Sequence, residues 1–325
     1  MKAKIFSVAA VGIVLAGCVT CAKNDDPVIG NWSGKLPYDS MYATSLIFSR
    51  DAAGAPKAFV LWRWGSPEWC SDVKIEGSTF SFRHPYGQLY RGHVDGDKMF
   101  AEIASCDKIT GKQKGDFQPF ECWRNEPAGP APDIEKQKWG TPINLLAGSI
   151  DDFYLMEKNK ESGWTLKDGV LSNRIARGKD GKSLHKNGNL CTKRADFKDF
   201  TLAYDVRVHP DCNSGVYLRG RFEIQVLDSF GKITDRHNMA AYYGRVAPIV
   251  AAEKKAGEWQ HVHITLLKQH LTVLLNGRKV IDNVPITGVT GGAIDADMTA
   301  AGPIYIQGDH SDADFRNMIL RPAVD

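Results

Sequence analysis

Along most of the chain apolar and polar residues alternate with a period of two. Strands place successive side chains on opposite faces, so this pattern predicts β-structure almost throughout. In the first part, apolar runs at 44–48, 58–64, 79–82 and 99–103 are separated by turn signals at 51–56, Glu76-Gly77 and Asp95-Gly96. That spacing predicts a small antiparallel sheet or barrel over 28–124. In the second part, Phe200, Leu202, Tyr204, Val206 and Val208 alternate with Thr201, Ala203, Asp205, Arg207 and His209. Further strands are predicted around 262–266, 271–275, 304–306 and 315–320, with Asn276-Gly277 as a two-residue hairpin signal. Helical periodicity is confined to 250–255. The fold class predicted is all-β, with a two-sheet antiparallel sandwich over 143–325.

The most informative stretch is NSGVYLRGRFEIQVLDS at 213–229. Read as one strand, it puts Val216, Leu218, Phe222, Ile224 and Val226 on a core face. Tyr217, Arg219, Arg221, Glu223 and Gln225 share the other face, at intervals of about 6.6 Å. Such a row is either a surface for recognising polyols, a reaction site, or the solvated outer face of a sandwich. A hairpin with the preceding strand, in a register summing to 424, would set Asp205 against Arg219 and Arg207 against Tyr217.

Residues 124–142 (RNEPAGPAPDIEKQKWGTP) lose apolar periodicity and are rich in proline and charge, so a linker is placed at 125–142. At the start, Lys2 and Lys4 precede an apolar run that ends in Leu15-Ala16-Gly17-Cys18. The run is too short to span a bilayer and reads as a lipoprotein signal, residues 1–17, with Cys18 as the lipidated residue and 18–27 as a tether. An exported, lipid-anchored protein of the bacterial cell envelope follows, at the periplasmic face or surface of the outer membrane.

The net charge of +3 becomes +1 without Lys2 and Lys4, which leaves no nucleic-acid footprint. Of seven cysteines, Cys18 is the lipid site. An exported chain permits disulfides, and Cys191–Cys212 and a pair among Cys70, Cys106 and Cys122 are plausible bridges. Among the six cysteines other than Cys18, no pair has zinc or redox spacing.

Glu223 and Asp228 are a candidate base and acid, and Arg219 and Arg221 would hold a nearby carboxylate ionised. His310, in a Gly-Asp-His turn, is the candidate for proton transfer, while His261-x-His263 is a weak metal signal. The long segment 229–258 lacks strands and carries Tyr243 and Lys254, which suits a site wall or lid. There is no G-x-S-x-G elbow, H-E-x-x-H, P-loop or dinucleotide fingerprint.

An ordered set of motifs then points to a family. GWTLKDGVL at 163–171, the 213–229 stretch, AGEWQ at 256–260, LNG at 275–277, TGGAID at 290–295, and GPIYIQGDH with DFRN over 302–317 resemble the 3-keto-disaccharide hydrolase family over about 143–323. The resemblance implies a concanavalin-like jelly roll that takes carbohydrate in its concave face, and cleavage of glycosides already oxidised at C3, by a lyase or net hydrolytic route. It carries over Arg219, Arg221, Glu223, Gln225, Asp228, Gln307 and His310. The working assignment is Glu223, Asp228, His310, Arg219 and Arg221 in catalysis, and Asp205, Arg207, Tyr217, Gln225, Tyr243, Lys254, Gln307 and Asp309 in substrate binding. A divalent metal is an optional cofactor. The resemblance does not cover the first domain; within it, residues 147–163 are longer than usual, and Ser311 stands where glycine is common. The alternatives are a lectin-like binding module and an ordinary two-carboxylate glycosidase. A protein partner for the first domain is left open.

Overall fold

A computed structural model describes residues 26–38, 43–62, 64–107, 110–179, 184 and 186–324. The expected signal segment, Cys18 and the expected tether up to residue 25 lie outside the described residues. No helix among those described is long and apolar enough to cross a membrane.

The first nine strands form an antiparallel meander whose last member, Gln113–Arg124, returns to pair with the first, Gly30–Lys35. Glu68–Trp69 pairs with Pro56–Leu61, and Ser71–Glu76 pairs with Thr79–His84. One chain segment, bent at Cys70, therefore joins both remaining edges and nearly closes a barrel. Trp32, Leu46, Phe48, Val60, Phe82, Tyr90 and Met99 fill it. The run expected to continue to residue 64 ends at Leu61, so Trp62 and Trp64 belong to a loop instead.

Residues from 143 onward form a jelly-roll sandwich. One sheet runs in the order Trp164–Lys167, Val170–Asn173, Ala313–Val324, Phe200–Val208, Trp259–Leu267, His270–Leu275, Arg278–Pro285. The facing sheet runs Phe153–Leu155, Leu190–Thr192, Tyr305–Ile306, Asn213–Leu218, Phe222–Leu227. Leu202, Tyr204, Val206, Ile264, Val273 and Phe315 meet Val216, Ile224, Val226, Leu190 and Ile306 between them in one buried core. Burial of such aliphatic and aromatic faces is the main stabilising term.

Three expectations change. The 213–229 stretch is a hairpin, not one strand: Arg219, with φ 53°, and Gly220, with φ 68°, turn the chain between Leu218 and Phe222. Second, Phe200–Val208 pairs with Trp259–Leu267 and Ala313–Val324 rather than with this hairpin. Asp205 therefore accepts from Arg316 and Asn317 and pairs with His261, while Arg207 binds the fully buried Asp314 on the outer face of the larger sheet. Third, residues 250–255 are not helical: Lys254 N–H donates to Gln260, and Asn276 donates to the Ala252 carbonyl, so side chains take the backbone groups a helix would use. The five described cysteines are all unbridged.

Candidate active site

The outer face of the five-stranded sheet is polar. Tyr217 pairs across the hairpin with Glu223, and across the next strand with Tyr305, so all three side chains share that face. The two tyrosine rings stack at 4.0 Å between centroids. Above them is a cavity of about 550 Å3. Its size lies within the roughly 300–1,000 Å3 typical of small-molecule sites.

Glu223 is the floor of this cavity and is 2 % exposed. Its Oε2 lies 2.8 Å from the Tyr217 hydroxyl, which also lies 2.7 Å from the Gly291 carbonyl. One phenol carries one proton, and a carbonyl only accepts. Both bonds form together when Glu223 is a neutral acid donating to Tyr217, which in turn donates to Gly291. Burial raises the Glu223 carboxyl, and the charge of Asp309 adds to this; together they outweigh the Tyr217 hydrogen bond and push the pKa up to about 8. Burial likewise raises the Tyr217 phenol well above its ordinary value and keeps it neutral.

Gly215 makes room for this carboxyl: a Cβ there would lie 2.2 Å from Glu223 Oε1. Gly215→Ala is therefore expected to displace Glu223 and to lower by about 10²-fold any turnover that uses this carboxyl, since misplacement of about 1 Å can cost that much. Steady-state kinetics beside an unfolding curve would separate this from loss of the fold.

The opposite wall is the 307–311 loop. Asn173 donates to the carbonyls of Gly308 and Ser311, Gly308 N–H donates to Asn189, and Asn213 N–H donates to the Ser311 hydroxyl. Ser311 thus ties the loop to the start of the hairpin. The loop presents Asp309 and His310, joined through Asp309 Oδ1 and His310 Nδ1 at 2.5 Å, with Lys160 Nζ 3.7 Å from Asp309 Oδ2. Burial opposes ionisation of Asp309, but the His310 hydrogen bond and the charges of His310, Lys160 and Lys186 prevail and hold its pKa below the ordinary value. Glu157 accepts from both Asn189 nitrogens, fixing the adjoining corner.

The cavity brings together six predicted site residues: Tyr217, Glu223, Tyr243, Gln307, Asp309 and His310. It leaves seven outside, each for a physical reason. Arg219, 1 % exposed, donates to the carbonyls of Lys198 and Met298 and to Asp199. Arg221 grips Asp295 with two bonds of 2.6 Å. Both guanidiniums hold the 295–302 segment in place and point away from the cavity. Asp205 and Arg207 sit on the other sheet. Gln225 shares the Glu223 face but is buried outside the cavity lining, at a point where its backbone pairs with residues 240–241. Asp228 accepts from Asp211 N–H at the far end of the strand, and Lys254 donates to the Trp259 carbonyl.

Lys160, Lys186, Glu157, Asn189 and Tyr305 line the cavity without having been singled out from sequence. Tyr305 and the Gly291-Gly292 pair fall inside recognised motifs. The others lie in the longer 147–163 segment or in stretches without a pattern. Among the described residues, no group of three or more His, Cys, Asp or Glu is placed to hold a metal ion. His261 instead pairs with Asp205 at 2.8 Å.

Comparison with known proteins gives one family match. The model for the 3-keto-alpha-glucoside-1,2-lyase-like domain covers residues 143–321. No curated protein matches the chain. Among solved structures, two provisionally designated glycosyl hydrolases from Parabacteroides distasonis are similar. One is 23 % identical over 56 % of this chain and 100 % of its own, with TM-score 0.42. The other is 19 % identical over 57 % and 94 %, with TM-score 0.45. A carbohydrate-binding module from Bacillus subtilis is 13 % identical over 51 % and 93 %, with TM-score 0.33.

Proposed function

The chain belongs to the 3-keto-alpha-glucoside-1,2-lyase-like domain family, and from that membership and the chemistry of the cavity we propose that it cleaves glycosides carrying a ketone at C3. The observation that carries the reading is a buried carboxyl whose pKa is pushed up to about 8 at the floor of a polar cavity. An ordinary carboxylate is too weak a base for a C–H proton, and one poised near working pH is better matched.

In the proposed reaction the C3 ketone acidifies the C2 proton. Ionised Glu223 removes it, and the C2–H electrons form the enolate across C2 and C3. Lys160 and Lys186 at the cavity wall supply the positive charge that steadies the enolate oxygen. The enolate then collapses: the ketone re-forms, C1=C2 forms, and the C1–O bond breaks. The leaving oxygen takes a proton from His310, whose ring is oriented by Asp309. Water added to the unsaturated ketone gives net hydrolysis. This assigns the acid to His310 in place of Asp228, and the cationic support to lysines in place of Arg219 and Arg221. Attachment to the cell envelope through Cys18 belongs to the same proposal and rests on the LAGC sequence alone.

The test is incubation of purified protein with a 3-keto-glucoside and its parent glucoside, with products followed by mass and NMR. Release of aglycone from the keto compound alone is expected. Cleavage of the parent glucoside would favour a two-carboxylate glycosidase, and binding without release would favour a lectin.

A further inference from the structure

We propose that the barrel completes this site with an aglycone subsite, in which Trp64 stacks on a flat-faced ring carried by the leaving group. The inference rests on the keto-glycoside reading for the direction of the substrate, while its main evidence lies outside the family domain.

Trp64 and Gly65 come from the barrel loop between Leu61 and Glu68, yet they line the same cavity as Glu223, Asp309 and His310. The loop is seated against the sandwich. A Cβ on Gly291 would lie 2.3 Å from the Gly65 carbonyl oxygen and 3.0 Å from the Trp64 carbonyl carbon, so only glycine permits this approach. Arg236 donates to the Pro67 carbonyl at 3.0 Å and pairs with Glu68 at 2.8 Å. Ser66 donates to the same Glu68 carboxylate. Ala43 and Leu61 of the barrel join the sandwich core. Residues 64–68 are therefore a fixed wall of the site.

On that wall Trp64 is 62 % exposed, whereas Glu223 at the floor is 2 % exposed. The sugar atoms that react must reach the floor, and the group leaving from C1 must point toward the open end. A large indole held there on a braced loop offers a broad apolar face of the kind that stacks on pyranose or aromatic rings. The substrate class that follows is a 3-keto-glucoside whose aglycone is a ring, either a second sugar or an aromatic group, rather than a short alkyl chain.

The test compares 3-keto-glucosides with methyl, phenyl and glucosyl aglycones in wild type, Trp64→Ala and Trp64→Phe. The ring-to-methyl ratio of kcat/KM is expected to fall about tenfold in Trp64→Ala, through KM, and to be largely kept in Trp64→Phe. A phenyl arm that responds without the glucosyl arm identifies an aromatic aglycone; the reverse identifies a sugar. A ratio unchanged by Trp64→Ala in both arms overturns the subsite. If wild type turns over none of the three, the proposed chemistry fails instead. The subsite is then decided by calorimetric titration of the same compounds, where equal ring-to-methyl Kd ratios in wild type and Trp64→Ala overturn it.

Discussion

Glu223→Gln is expected to lower kcat for a 3-keto-glucoside by about 10³–10⁴-fold, at the upper end of what a positioned general base contributes. The amide keeps the shape of the carboxyl and can still donate to Tyr217, but it cannot accept the C2 proton. Wild-type kcat/KM should rise with pH along a limb of apparent pKa about 8, because only ionised Glu223 is active and burial keeps it protonated at neutral pH. In Glu223→Gln that limb should vanish. A variant that retains turnover and the same pH limb would remove Glu223 from the reaction.

The same substitution makes a prediction of opposite sign for stability. The folded pKa of about 8 stands above the ordinary value of 4.5, so the folded state binds the proton more tightly than the unfolded state. The favourable linkage is fully present below pH 4.5 and is lost as pH rises toward 8. Glutamine has no charge to desolvate. The melting temperature of Glu223→Gln relative to wild type should therefore be nearly flat at low pH and climb by several degrees between pH 5 and 8. Gaining stability while losing activity is the behaviour expected of a group buried for chemistry rather than for folding.

What was legible in the sequence follows from the range over which each signal acts. Alternation fixes which face a side chain takes within its own strand, so the barrel, the sandwich and the strands near 200–208, 259–267 and 270–275 were readable. The same rule kept Tyr217, Glu223 and Gln225 on one face even though the stretch proved to be a hairpin, because cross-strand partners share a face. It failed at Arg219, a non-glycine residue at φ 53°, because the single turn signal, Gly220, sits in phase with Leu218 and Phe222 and leaves the register of the alternation unchanged. The register that joined Asp205 to Arg219 assumed that sequence neighbours pair, whereas the jelly roll sends Phe200–Val208 into the opposite sheet. Lys160, Lys186 and Trp64 reach the cavity from loops far apart in the chain. No periodicity encodes such convergence, and for Trp64 it also depends on how one β-unit docks on another.

The second large effect concerns the arginine that the sequence reading had placed in catalysis. Arg219→Ala is expected to cost about 3–5 kcal/mol of stability, the usual penalty for removing one partner of a buried charged network. The loss leaves the Lys198 and Met298 carbonyls without their guanidinium donor and Asp199 without its counter-charge, while alanine must also occupy φ 53°. Arg219→Lys keeps the charge but not the planar fork, so it should recover only part of that stability. At a temperature where both variants remain folded, kcat should stay within about tenfold of wild type. An arginine stabilising the enolate would behave in the opposite way, costing about 10²–10³-fold in kcat with the urea midpoint preserved. Arg221 divides the two cases: it too is buried and anchored, but its Asp295 partner belongs to the loop whose Gly291 carbonyl receives the Tyr217 hydrogen bond. Loosening that loop should relax the hydrogen-bond chain to Glu223, so Arg221→Lys should shift the pH limb of kcat/KM, whereas Arg219, which touches the same segment only through the Met298 carbonyl, should shift it less when changed to Lys. A larger shift in Arg221→Lys than in Arg219→Lys would place the active chemistry on the tyrosine–glutamate chain and both arginines in the scaffold behind it.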